Sequence, residues 1–114
     1  PSSDKYIEVK VIGGTQRIRL NDIIYAEHFK HCINIYKSDC ATTVVRSTFA
    51  EFGKQLENDE RFFMCNRGVI INFDYASDFD GTEFILNNGE RISVSRSLTK
   101  SAKSRFADFI FNKR

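Results

Sequence analysis

No apolar stretch in this chain of 114 residues runs more than a few positions before a polar residue or glycine interrupts it, and several of the stretches alternate apolar with polar residues. Alternation with a period of two is the mark of a half-buried β-strand, and turn residues at short intervals reverse the chain before long helices can form. Ile7, Val9 and Val11 alternate with Glu8 and Lys10. Gly13-Gly14 then precedes a second alternation, Ile18 and Leu20 against Arg17 and Arg19, so the start reads as a hairpin with one wet face. Further strands are expected over residues 23–27, 33–36 and 41–46, the last after a Lys37-Ser38-Asp39 turn. Downstream come Phe62-Phe63, residues 69–73 and 75–79, the turn Asp80-Gly81, residues 84–86, the turn Asn87-Asn88-Gly89, and a last strand holding Ile92 and Val94.

Two segments change period. Thr48 and Glu51 have the spacing of a capping box, and Phe49, Phe52 and Leu56 fall on one helical face, which predicts a helix over 48–56 lying on a sheet. A closing helix over 98–111 places Leu98, Ala102, Phe106, Phe109 and Ile110 on one stripe. The expected fold class is mostly β, with about eight to ten short strands, one short internal helix and one C-terminal helix. At this length a single domain buries about two-thirds of its unfolded surface, and eleven phenylalanines with a single proline supply a packed core.

The formal charge of +2 and pI of 8.6 are mild beside the roughly 9 expected of a strongly basic nucleic-acid domain. Distribution says more. Arg91, Arg96, Lys100, Lys103 and Arg105 fall in a run without acids, while Asp74, Asp78, Asp80 and Glu83 cluster just before it on a hairpin that reads as solvated. A one-sided positive field is expected. Cys32, Cys40 and Cys65 lack zinc or C-x-x-C spacing, so they read as reduced thiols of a cytoplasmic protein. There is no apolar run of membrane-spanning length and no signal-peptide pattern, so no membrane partner is expected. The opening Pro1-Ser2-Ser3-Asp4 suggests a piece cut from a longer protein: residues 1–5 are expected to be a linker or trimmed remnant, and residues 6–114 the domain.

The chemistry concentrates in two places. Phe62-Phe63-Met64-Cys65-Asn66-Arg67-Gly68-Val69-Ile70-Ile71-Asn72 and Gly89-Glu90-Arg91-Ile92-Ser93-Val94-Ser95-Arg96-Ser97 each set an arginine beside small polar residues at the end or interruption of a β run. Such loops hold a guanidinium out, and its planar fork matches phosphates and guanine edges. Ser95 and Ser97 add hydroxyls suited to a phosphate. Lys100 and Lys103 lie in the first turns of the closing helix, where the helix dipole disfavours positive charge unless an anion or solvent compensates. Asn72 is expected to bond local backbone. His28 and His31 lie in a β loop without a third ligand nearby, so no metal is expected. No phosphate-binding glycine loop or nucleophile–histidine arrangement points to an enzyme or a cofactor.

In order, these pieces resemble the LytTR family of bacterial DNA-binding domains over residues 6–109. The resemblance is carried by Asn21-Asp22-Ile23-Ile24-Tyr25-Ala26-Glu27, the loop with His31, the 48–56 helix, the Phe62 to Asn72 run and Ile92-Ser93-Val94-Ser95-Arg96. It implies an elongated, mostly β output domain of a transcriptional response regulator in a two-component system, with a receiver domain upstream, that binds promoter DNA as a dimer. Loops rather than a recognition helix would enter adjacent major grooves, with contacts at His31, Asn66, Arg67 and Arg96; read from the residues themselves, Lys30, Ser95, Lys100 and Lys103 are the candidate phosphate contacts beside them. The chain departs from the family where a basic residue, His-Arg-Ser and an aromatic are common: it has Met64, then Asn66-Arg67-Gly68 and Val69. Asparagine at 66 suits adenine by bidentate pairing. The alternative to DNA is a β-rich protein-interaction module anchored by a loop aromatic such as Phe29, and the alternative for Arg67 is a plain surface ion pair.

Overall fold

Period-two alternation becomes strand pairing throughout the computed structural model of the chain, which describes residues 5–112. Of the stretch expected as a linker, residues 1–4 lie outside the described residues. β1 (Tyr6–Val11) and β2 (Gly14–Arg19) form the first hairpin, turning at Gly13, whose φ of 96° favours glycine. β3 (Ile23–Phe29), β4 (Cys32–Lys37) and β5 (Thr42–Val45) follow, then helix α1 (Phe49–Leu56), β6 (Phe62–Asn66) and β7 (Val69–Asn72). β8 (Ala76–Phe79), β9 (Glu83–Leu86) and β10 (Arg91–Ser93) precede helix α2 (Thr99–Asn112). A five-stranded antiparallel sheet ordered β5-β4-β3-β7-β6 occupies the middle, flanked by the two-stranded hairpin and a three-stranded sheet ordered β10-β9-β8.

Each face of the middle sheet has its own core. Ile70 and Phe62 join Ile33, Ile35, the β1–β2 hairpin and the α1 residues Phe52 and Leu56 on one side. Ile71 and Phe63 join Phe73, Phe84 and the α2 residues Ala102 and Phe106 on the other. Successive strand side chains point to opposite faces, which is why the consecutive apolar residues Phe62-Phe63 and Val69-Ile70-Ile71 all find burial. Phe73 is the hub of the second core, its ring centroid 5.4 Å from Phe106, 5.7 Å from Phe84 and 5.8 Å from Phe63. The molecule measures 40 × 36 × 25 Å, a flattened slab rather than the elongated shape implied by resemblance.

α1 is capped as expected: Thr48 Oγ1 accepts a hydrogen bond from Glu51 N at 3.1 Å, while the Glu51 carboxylate accepts from Ser47 Oγ at 3.4 Å. Other expectations shift. The strand expected over 69–73 stops at Asn72, and a 3-10 turn, Phe73–Tyr75, separates it from β8. Val94 is buried but lies beyond β10, and a 3-10 turn, Arg96–Leu98, precedes α2. Ile110, expected on the apolar stripe of α2, is 47% exposed, because the buried part of the second core ends one turn earlier at Phe106, with Phe109 partly buried against it. The acidic hairpin is more than solvated: Asp80 and Glu83 pair with Arg91 at 2.7 and 2.8 Å.

Two polar devices tie the sheets together. Asn72 is fully buried, donates from Nδ2 to Ile23 O at 2.9 Å and accepts from Asp74 N at 2.9 Å, so its bonding is both local and long-range. Arg61, immediately before β6, holds both Asp59 oxygens at 2.9 and 3.0 Å, lies 3.7 Å from Asp74 and donates to Asn21 Oδ1. Burial alone would raise the Asp59 carboxyl, but the hydrogen bonds and charge of Arg61, helped by Lys5, hold it below the usual carboxylate range.

Phe52→Ala is expected to cost about 3–5 kcal/mol in denaturant unfolding, as loss of a buried aromatic does; an unchanged midpoint would place α1 outside the core. Arg61→Ala is expected to cost roughly 1.5–3 kcal/mol near neutral pH. Because Asp59 titrates lower when folded, its stabilisation is present above the unfolded carboxylate pKa of about 3.9 and is lost as pH falls through the folded value. The gap between wild type and Arg61→Ala should therefore narrow in that acid range, and a gap constant with pH would contradict the pairing.

Candidate nucleic-acid interface

β3 lies between β4 and β7, antiparallel to both, and this places two hairpin tips at one end of the middle sheet. The β3–β4 hairpin closes at Phe29 opposite Cys32, leaving Lys30 and His31 as its tip, with Lys30 in the left-handed region at φ 56°. Both are exposed, Phe29 is 56% exposed, and Lys30 Nζ sits 5.4 Å from the Phe29 ring centroid. The β6–β7 hairpin closes at Asn66 opposite Val69 after a bulge between Met64 and Asn66, and its tip is Arg67-Gly68. A bulge adds one residue to a strand and re-aims the side chains beyond it. The tips are neighbours: His28 N donates to Gly68 O at 2.7 Å, and a Cβ added to Gly68 would meet His28 Cβ at 3.5 Å, an ordinary contact.

The third loop joins at the free edge of β6. Ser95 N donates to Cys65 O at 2.9 Å, and Asn66 Nδ2 donates to Ser93 O at 2.8 Å. Arg96 opens the 3-10 turn and is exposed, and α2 comes next with Lys100 and Lys103 exposed on its first turns. His31, Asn66, Arg67, Ser95 and Arg96, read from three separate segments of the sequence, thus sit on three loops linked at one end of the fold.

The side chains of His31, Arg67, Arg96, Lys100 and Lys103 make no ion pair or hydrogen bond with the described residues. Two members of the expected basic run differ. Arg91 is neutralised by Asp80 and Glu83, and Arg105 lays its guanidinium 5.4 Å from the Phe63 ring centroid while donating to Phe62 O at 3.3 Å. The available cations of that run are therefore Arg96, Lys100 and Lys103. Beneath the β6–β7 tip, Cys65 is wholly buried and burial pushes its thiol up to about 12, so it is a packing residue. Sequence reasoning missed the backbone partners at Ser93 and Cys65, since only the folded edge of β6 brings residues 65–66 and 93–95 together. Among the described residues no group of three or more potential metal ligands gathers, and no helix is long and apolar enough to cross a membrane.

Among solved structures, the chain is similar to a LytTr DNA-binding domain from a Bacillus cereus protein described as a methyl-accepting/DNA response regulator. The TM-score is 0.71 at 20% identity, over 91% of this chain and 97% of that one, a likeness of fold. No curated protein sequence matches significantly. The model of the LytTr DNA-binding domain matches residues 13–107, which takes in both hairpin tips, the Ser95–Arg96 loop and the start of α2. The chain therefore belongs to the LytTr DNA-binding domain family.

Proposed function

We propose that residues 6–114 are the output domain of a bacterial transcriptional response regulator, working in the cytoplasm by binding rather than catalysis, and that it recognises promoter DNA by sequence through its loops. The observation that carries this reading is the convergence of the three loops, each offering a cation or donor with no partner among the described residues. Arg67 and Arg96 suit guanine edges in adjacent major grooves, with His31 as a further donor. Lys30, Ser95, Lys100 and Lys103 suit phosphates and fix the position of the domain on the duplex. A helix start that carries lysines and no acidic residue in its first turn is consistent with a phosphate placed there. A receiver domain upstream of a linker at residues 1–5, and a dimer on DNA, complete the proposal by family resemblance.

The 56% exposure of Phe29 at a hairpin tip favours a second reading, a protein-interaction module with an aromatic anchor. Salt separates the two, because neutralising phosphates releases counterions and a hydrophobic contact does not.

On a duplex selected by the wild-type chain from a random pool, affinity should fall steeply as salt rises. Arg67→Ala or Arg96→Ala should cost about 1–3 kcal/mol on that duplex and flatten discrimination against mutated sites. Lys100→Ala should weaken selected and scrambled duplexes alike and lower the salt slope by about one. Fluorescence anisotropy across a salt series reads all three. Absence of binding at low salt would remove the proposal, and equal losses on both duplexes for the arginine variants would assign those side chains to the backbone.

A further inference from the structure

The geometry points to Asn66 as a positioning residue that clips the two arginine loops into one unit, rather than as a reader of a base; this rests on the DNA-binding reading above. Both polar atoms of its amide are committed to backbone. Oδ1 accepts from Gly68 N at 2.9 Å, across the tip that carries Arg67, and Nδ2 donates to Ser93 O at 2.8 Å, in the segment that leads to Arg96. A second bond runs parallel, Ser95 N to Cys65 O at 2.9 Å. Arg67 is thus one residue from an anchored side chain, and Arg96 one residue from an anchored amide. Asparagine reads adenine by offering its oxygen and nitrogen together to the base edge. Turning the amide outward to do so would release Gly68 N–H and Ser93 C=O at once.

The location supports the same role. The bulge that precedes Asn66 leaves Cys65 as the extra residue of β6, buried among the second core, so the clip is seated on packed structure. Loops held before contact lose less freedom when they bind, and that gain is realised only through the side chains they carry. Asn66 then contributes to affinity through Arg67 and Arg96, and its removal should have no effect where they have nothing to contact.

The test is a double-mutant cycle on the selected duplex, with a scrambled duplex as control and thermal melts to confirm folding. Asn66→Ala should weaken the selected duplex about tenfold, leaving the salt slope and scrambled affinity unchanged. In the Arg67→Ala background the same change should have much less effect, since the group it positions is gone. An equal factor in both backgrounds, with loss of discrimination at a single base pair that Arg67→Ala leaves intact, would identify a direct base contact and overturn the inference. So would wild-type affinity in Asn66→Ala. Amide exchange by NMR on the free protein gives a readout without DNA: Asn66→Ala should speed exchange at Gly68 and shift the Ser95 and Arg96 amide signals, and unchanged signals would overturn the clip. A wild-type chain that bound no duplex would overturn the DNA-binding reading and the positioning role with it, while the exchange data would still report whether the two loops are joined.

Discussion

The middle sheet and both of its cores depend on β7, a strand whose four residues are all buried. It pairs with β3 on one side and β6 on the other, and its side chains feed both cores, Ile70 into one and Val69 and Ile71 into the other. A one-residue slip would exchange the two sets, so the register is specified twice. Its last residue fixes the end of the strand as well. Asn72 takes up the Ile23 carbonyl and caps the turn that swings Phe73 into the centre of the second core. A buried amide with all its bonds made costs little, whereas one left without them costs about 1–3 kcal/mol, so the arrangement penalises alternatives more than it rewards itself.

That strand also determines where the charges go. Because β7 starts beside Glu27 of β3, its preceding tip must emerge next to the β3–β4 tip, and the bulge in β6 opens the edge onto which the Ser93–Arg96 segment docks. Elsewhere several arginines are answered. Arg61 lies among Asp59, Asp74 and Asn21, Arg91 between Asp80 and Glu83, and Arg17 covers the Tyr6 ring at 4.7 Å. A chain with a formal charge of only +2 thereby still gathers a group of unanswered cations at the three linked loops, and local field rather than net charge is what steers a polyanion.

The parts of this arrangement legible in the sequence are those set by neighbours along the chain. The cap at Thr48, the turn at Asp80-Gly81 and the alternation of β1 depend on residues a few positions apart, and all formed as read. Residue 110 was misplaced because helical periodicity gives a face but not where the opposing core stops. The 69–79 stretch reads as two nearly continuous strands, since a 3-10 turn of Phe-Asp-Tyr has no distinctive composition and is stabilised by Asn72. At the interface, residue identity marked Arg67 and Arg96. Which arginines of the basic run were already engaged, and which amide held two loops together, depended on contacts 8 to 43 residues apart that no local pattern encodes.

The tips are closed by backbone hydrogen bonds and by Asn66, not by the side chains of His31, Arg67 or Arg96, and Gly68 has room for a Cβ in ordinary contact. Folding energy and surface chemistry therefore reside in different residues. On the proposed DNA-binding reading, a lineage could exchange what the fingertips carry without renegotiating the hand, drifting from one target to another while the fold is kept.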